Sequence, residues 1–324
     1  MKRLTFASAL LLSLVLSGPP LIAQQSSGFQ FLNIGPTAKS LGISEAHTAV
    51  SLGASSIYTN PALLSFEKES SSTLSYLVWQ PAGTQTSHAA VNLKRDDDAF
   101  GFGLISSKVD DIEQRSVSGP PSGSIAVQYL SLAGAYSKNF GYFSVGATGM
   151  YLYEQLYNFD ASGFALSAGA ATNILDERLR IGVALLNYGQ MQDLQHEATE
   201  LPASFKVGVD IQALQFSASG SNKIPFLFVI SSDFVKPLNE PGLSQASEGN
   251  SNIFRQDEAY FNLALQVEIS EIIILRSGYK TNHPNRSASF GAGVRVSNLD
   301  FDYAFAPFDT GMGTNHGISV AYYF

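Results

Sequence analysis

The sequence predicts an all-β protein: a single transmembrane antiparallel β-barrel of about 14 strands, with a partly helical N-terminal segment plugging its lumen. Three observations lead to this fold class. Stretches in which apolar residues alternate with small or polar ones recur along most of the 324-residue chain. Charged residues make up only 14% of the chain and hydrophobic residues 45%, whereas soluble domains carry roughly 25% charged residues. The chain also ends in an alternating segment with Phe324 as its final residue.

Residues 1–23 are predicted to be a Sec signal peptide. Lys2 and Arg3 supply positive charge, and an almost uninterrupted apolar run from Leu4 to Leu16 follows them. This run is too short for a transmembrane helix, which needs about 20 apolar residues. Ala23 is a small residue of the kind found at signal cleavage sites. We therefore expect an exported protein.

Residues 24–70 are predicted to form a plug inside the barrel. Most of this stretch lacks period-two alternation and reads as short helices broken by turns. Asn60 before Pro61 is typical of a helix N-cap followed by proline at the first helical position. A flexible periplasmic leader is the alternative, but it would leave Leu63 and Leu64 exposed to water. A buried position in the lumen accounts for both leucines.

Residues 71–324 are predicted to form the barrel itself. The alternating segments number fourteen, an even count that places both ends of the sheet in the periplasm. Long connections, expected outside the cell, alternate with short periplasmic turns, and only residues 213–225 are long on the periplasmic side. The predicted strands are 72–80, 86–94, 99–107, 124–137, 141–153, 160–173, 178–187, 202–212, 226–235, 258–269, 271–281, 286–297, 298–306 and 314–324.

The last strand carries a further signal. Ile318, Val320, Tyr322 and Phe324 occupy alternate positions, so they are predicted to face lipid while the residues between them, such as Ser319, face the lumen. A terminal aromatic residue on an amphipathic strand resembles the signal that barrel-assembly machinery reads. The sequence therefore predicts a location in the outer membrane of a Gram-negative cell. Outer-membrane lipid and the assembly machinery are its expected partners.

Ionisable residues at predicted inward positions are candidates for a polar lumen. Charged side chains are costly on the lipid face, so inward charges that pair with the plug are expected in any barrel of this kind. A pair of the Arg295–Asp302 type is predicted to anchor the plug. The candidates are Lys206, Asp210, Glu268, Arg295, Asp300 and Asp302.

Composition and motifs argue against several other functions. The chain has no cysteine, which excludes disulfides, thiolate catalysis and cysteine-bound metals. Its formal net charge of −8 argues against nucleic-acid binding. The chain has five histidines and no Gly-x-Ser-x-Gly nucleophile motif, so neither an active site nor a cofactor or metal site is expected.

A family resemblance rests on the plug region. With its Leu-Gly and Asn-Pro-Ala motifs, the chain resembles the PorV/PorQ family, a branch of the FadL-like outer-membrane barrels. The Asn-Pro-Ala unit is the most specific part, and further similar stretches follow in order as far as the closing strand. The motif residues are Leu41, Gly42, Asn60, Pro61 and Ala62.

The resemblance implies a fourteen-stranded barrel with one of two functions. PorV/PorQ proteins act in type IX secretion, where they hold secreted cargo or attachment-complex proteins at the cell surface. FadL-type barrels instead take up fatty acids and other hydrophobic molecules through the lumen. Inward strand positions read as mostly small or polar, which favours the secretion function, with residues 108–123 and 236–257 as the external loops that bind partners.

Overall fold

The computed structural model describes most of the chain after the predicted signal peptide. Residues 1–23, on which that prediction falls, lie outside the described residues. Within the described part, no helix is both long and apolar enough to cross a membrane. The described ranges are 29–79, 83–114, 123–175, 178–194, 197–217, 224–238, 258–282, 287–308 and 313–324.

Fourteen antiparallel strands close into one barrel, as predicted. Strand β1 pairs with β16, so Ser71 lies opposite Tyr323 and the sheet has no free edge. The short strands β8 and β9 pair only with each other, within the connection between β7 and β10. The barrel strands are β1 (Ser71–Trp79), β2 (Thr84–Arg95), β3 (Asp98–Gln114), β4 (Gly123–Asn139), β5 (Phe143–Leu156), β6 (Phe159–Ile174), β7 (Leu179–Met191), β10 (Ser204–Ser217), β11 (Pro225–Pro237), β12 (Tyr260–Ile269), β13 (Ile273–Lys280), β14 (Ala288–Val296), β15 (Leu299–Pro307) and β16 (Thr314–Tyr323), and the additional pair is β8 (Asp193–Leu194) with β9 (Glu197–Ala198).

The connections differ from the prediction in two places. The first five residues of the stretch 213–225 belong to β10, which runs to Ser217, and its last residue, Pro225, begins β11. A β-bulge near Ala213 interrupts the alternation of apolar and polar residues in β10, and this explains why the sequence predicts a long turn from residue 213. Residues 108–114 likewise extend β3 rather than belonging to an external loop. The rest of that loop and residues 239–257 lie largely outside the described ranges.

Alternation along the strands separates a lipid-facing surface from the lumen. On β16, Ile318 and Tyr322 are exposed on the outer surface, whereas Asn315 and Ser319 are buried. Aromatic and branched side chains cover the outer surface of the other strands in the same way. The four residues of the predicted assembly signal thus lie on the outward side of the last strand, with Phe324 directly after it.

The N-terminal segment lies inside the barrel and is almost completely buried. Its elements are short because each must fit within the closed wall. The hydroxyl of Thr37 accepts a hydrogen bond from the backbone N–H of Ser40, which caps the α-helix Ala38–Gly42. Asn60 caps the last 3₁₀ helix, with Pro61 as its first residue. The elements are η1 (Gln30–Asn33), α1 (Ala38–Gly42), η2 (Gly53–Tyr58) and η3 (Pro61–Phe66).

The inward–outward assignment of β16 is testable with single cysteines, since the chain contains none of its own. We expect a fluorophore on Val320→Cys to be quenched by a spin-labelled lipid in nanodiscs. The same label on Ser319→Cys should be protected, because Ser319 is 6% exposed and faces the lumen. The ratio of quenching at the two positions is the measurement, and strong quenching at 319 alone would mean that the register is shifted by one residue.

Candidate functional site

The motif residues of the plug fit against glycines of the barrel wall. The backbone of Gly42 packs against Gly291 of β14, so closely that a Cβ at position 42 would lie 3.1 Å from the Gly291 Cα. A Cβ at Gly169 would lie 2.0 Å from Oδ1 of Asn60, and one at Gly146 would lie 2.5 Å from the Pro61 carbonyl carbon. The plug backbone therefore packs into recesses that exist only because these positions are glycine.

Side chains of the plug and wall satisfy the backbone of the irregular segment. The Nδ2 of Asn60 donates to the carbonyl oxygen of Thr48 at 2.8 Å. The hydroxyls of Ser137 and Ser144 both donate to the Ala62 carbonyl oxygen, at 3.1 and 2.8 Å. These bonds supply partners that the segment's short helices cannot give themselves.

Asp233 of β11 is the strongest single attachment point for the plug. One carboxylate oxygen accepts hydrogen bonds from the backbone N–H groups of His47 and Thr48, both at 2.9 Å. The Thr48 hydroxyl donates to the same oxygen at 2.7 Å. Asp233 is buried, and bonds to a charged acceptor in such surroundings are stronger than neutral ones. Asp233 is not among the predicted inward charges, because nothing in its local sequence distinguishes it from other strand carboxylates.

A second attachment joins Lys280 of β13 to Glu45 of the plug. Both side chains are buried, and the lysine Nζ forms an ion pair and a hydrogen bond with the glutamate. The Asn262 side chain donates to the Glu45 backbone oxygen at 3.1 Å. Breaking a buried ion pair by removing one partner is strongly destabilising, so this contact holds the turn after α1 in place.

The predicted inward charges form a network within the wall. Arg295 donates from Nε to Asp300 at 3.0 Å, and its Nη1 lies 4.0 Å from Glu268. Asp302 instead pairs with Arg276, whose Nη1 donates to it at 2.5 Å. The predicted Arg295–Asp302 pair is therefore wrong: register places Arg295 directly opposite Asp300. None of these hydrogen bonds reaches the plug.

The other two candidates lie on β10. The Asp210 carboxylate accepts a hydrogen bond from the Ser231 hydroxyl at 2.6 Å. Lys206 is 3% exposed and lies within electrostatic range of Asp233 and Glu45. Lys206 therefore sits beside both plug attachments, whereas Asp210 belongs to the wall.

The imidazole of His47 is neutral in this surrounding. Burial, together with the nearby Lys206 charge, holds the pKa of His47 well below its usual range. Its Nδ1 lies 2.6 Å from the Ser40 hydroxyl, which ties the turn to α1. In the described part of the chain, no group of three or more His, Asp and Glu side chains is arranged to hold a metal ion.

The opposite side of the lumen is apolar toward the external end. We call this region the apolar compartment. Rings of Phe29 and Phe31, from the start of the plug, pack against Tyr129 with centroids 5.1 and 5.8 Å away. The expectation of a mostly small or polar lumen therefore fails on this side. The wall residues of the compartment are Ile105, Tyr129, Met150, Leu152, Ala161, Ala165 and Met191, with Leu194 and Leu201 from the connection after β7.

Comparison with known proteins gives a structural match without a sequence match. No known protein-family model matches the chain, and no curated protein matches it significantly. The structure is similar to that of a channel described as the CymD monoaromatic hydrocarbon channel, with TM-score 0.59 and 13% identity, covering 92% of this chain and 99% of that one. It is also similar to the Pseudomonas putida toluene transporter TodX, with TM-score 0.57 and 13% identity, covering 89% and 97%.

The chain has the fold of the FadL-like outer-membrane barrels. At these identities the likeness concerns the fold alone. Assignment to the PorV/PorQ branch and export through the Sec pathway stay predictions.

The seating of the plug can be tested with Gly182, whose added Cβ would lie 2.1 Å from the Thr48 carbonyl oxygen. Gly182→Val should displace the plug and expose residues 29–70 to protease, with a cost of roughly 1–3 kcal/mol and a lower Tm. Gly134→Val is the matched control, since a Cβ there meets no atom within 4 Å. Equal protease resistance and equal Tm in the two variants would contradict the proposed seating.

Proposed function

We propose that the protein takes up small hydrophobic molecules across the outer membrane through its lumen, as a FadL-like channel. The apolar compartment carries this proposal, because it offers a water-poor site inside an otherwise polar and glycine-rich barrel. Ligand sites are usually concave, mostly apolar and provided with a few polar groups. The shared fold with hydrocarbon channels supports the proposal but does not name the molecule carried.

The compartment lies where a molecule arriving from outside would meet it. Met191 ends β7 at the external end, and Leu201 follows in the connection to β10. The Thr199 hydroxyl donates to the Glu154 carboxylate at 2.6 Å, which fixes this connection against β5. A hydrophobic molecule would therefore pass beside this connection to reach the compartment.

The chain itself occupies the compartment at present. Phe29, Phe31 and Leu32 are 0%, 6% and 6% exposed and fill the space between the wall residues. A ligand must displace these side chains to bind. Passage toward the periplasm requires the rest of the plug to move as well, because the plug residues that follow segment 29–34 are hydrogen-bonded to the barrel wall. Segment 29–34 is thus an internal competitor for the ligand.

The secretion-associated function stays a prediction based on the family resemblance. Its expected binding loops, 108–123 and 236–257, fall mostly outside the described residues. A gentle-detergent purification from native membranes separates the two functions. Co-purifying secreted or attachment proteins, with no bound hydrophobic molecule, would favour the secretion function over the channel.

A binding experiment tests the channel proposal. Phe31→Ala removes one ring of the internal competitor, so we expect it to bind 4-(trifluoromethyl)toluene about tenfold more tightly, since burying a phenylalanine is worth about 1.5–3 kcal/mol. The measurement is a ¹⁹F NMR titration in lipid nanodiscs, with empty nanodiscs subtracted. Phe301→Ala is the control, because Phe301 is exposed on the outer surface of β15. Saturable binding in neither wild type nor Phe31→Ala would overturn the proposal.

A further inference from the structure

His88 is an unusual side chain for the wall of an apolar compartment. It points inward from β2 and is 3% exposed. Its cross-strand partner on β3 is Ile105, a wall residue of the compartment. Neither ring nitrogen of His88 has a hydrogen-bond partner among the residues that the structure describes. A neutral imidazole offers one donor and one acceptor, and leaving both unmet when buried is costly.

A second unmatched polar group lies close by on the same level of the wall. Ser131 of β4 is paired with Ile105, on the side opposite His88, and it is completely buried. Its hydroxyl also has no partner within the described ranges. The cross-strand partner of Ser131 on β5 is the apolar Leu152. Two buried polar groups without partners therefore flank Ile105 on this level of the wall.

Tyr58 of the plug completes this group. Its ring packs edge-on against the His88 ring with centroids 5.7 Å apart, and its hydroxyl donates to the Ser131 carbonyl oxygen at 3.4 Å. Gly103 makes room for the tyrosine, since a Cβ there would lie 2.7 Å from the ring. The three side chains of Tyr58, His88 and Ser131 form what we call the polar niche. It borders the compartment that Phe29 and Phe31 fill.

The neighbouring level of the same wall shows that polar groups here can be paired. Thr86 and Ser107 lie one step nearer the external end on β2 and β3, and their hydroxyls are 3.0 Å apart. Ser75, directly opposite His88 on β1, donates to the Ile318 carbonyl oxygen at 3.1 Å. Buried polar atoms without a partner also occur elsewhere in the described residues, for example Thr73 Oγ1 on β1, but His88 is unmatched at both ring nitrogens and lies on the same level of the wall as the unmatched Ser131 hydroxyl. These three unmet atoms at the edge of the apolar compartment point to a partner that binds at the niche itself.

We propose that the polar niche binds the hydroxyl group of a small aromatic alcohol, so that the compartment takes phenols in preference to plain hydrocarbons. This inference rests on the proposed uptake function and adds the class of molecule to it. The aromatic ring of the ligand would replace Phe29 or Phe31 against Tyr129. Its hydroxyl would donate to the free imidazole nitrogen of His88 or accept from the imidazole N–H, with Ser131 as the second polar contact. A hydrocarbon of the same size would leave both groups unmet.

Two ¹⁹F probes of nearly equal size test the inference: 4-(trifluoromethyl)phenol and 4-(trifluoromethyl)toluene. They are titrated against the full-length protein in nanodiscs at pH 6, where the phenol is neutral, with partitioning into empty nanodiscs subtracted. We expect the wild type to prefer the phenol by about tenfold, which is the effect of one to two hydrogen bonds in a buried site. His88→Leu and Ser131→Ala should reduce this preference toward unity without weakening the toluene probe.

Two further variants make the result specific. His88→Gln keeps a donor and an acceptor and should retain most of the preference, whereas His316→Leu, on the outer surface, should leave it unchanged. Equal affinity of the wild type for both probes, or a preference that survives His88→Leu and Ser131→Ala in folded protein, would overturn the niche while leaving the uptake function intact. Saturable binding of neither probe would overturn both.

Discussion

The structure depends on supplying hydrogen-bond partners to the backbone N–H and C=O groups of the plug, an irregular segment enclosed within a membrane barrel. Barrel strands satisfy one another by closing the sheet, but the plug has only short helices and must find partners on the wall. Asp233 accepts two of its backbone N–H groups, and serines of β4 and β5 donate to the Ala62 carbonyl. Glycines such as Gly146 and Gly169 let the two backbones approach. The outward residues of the wall therefore suit the lipid, and the inward residues suit the plug.

This constraint divides the lumen into two sides. The strands from β10 to β15 carry the buried charges that hold the plug and one another, including Asp233 and Lys280. The external part of β3 to β7 carries the apolar compartment, which the start of the plug fills with the apolar side chains of Phe29, Phe31 and Leu32. Because packing contacts are non-directional, the start of the plug can leave this side while Asp233 still holds its centre. A hydrophobic ligand can therefore displace the start of the plug without breaking the hydrogen bonds at Asp233.

Much of the fold could be predicted from alternation, because each strand has one face in lipid and period two survives in the sequence. Prediction failed where a bulge shifts the phase near Ala213. The charge pair was assigned wrongly because pairing depends on the register between β14 and β15, which no single strand encodes. The apolar compartment was missed for a related reason: its residues are spread over five strands and the plug, and the average inward position is small or polar. His88 and Ser131 come to flank Ile105 only through the registers of β2 with β3 and of β3 with β4.

Methyl NMR tests the central claim, that the apolar compartment is the ligand site, most directly. Two of the four methionines, Met150 and Met191, line the compartment. With ¹³C-methyl methionine in the protein and 4-(trifluoromethyl)toluene added in nanodiscs, we expect saturable shifts of the Met150 and Met191 signals. Signals of Met150 and Met191 that stay constant, or that shift without saturating, would contradict the claim.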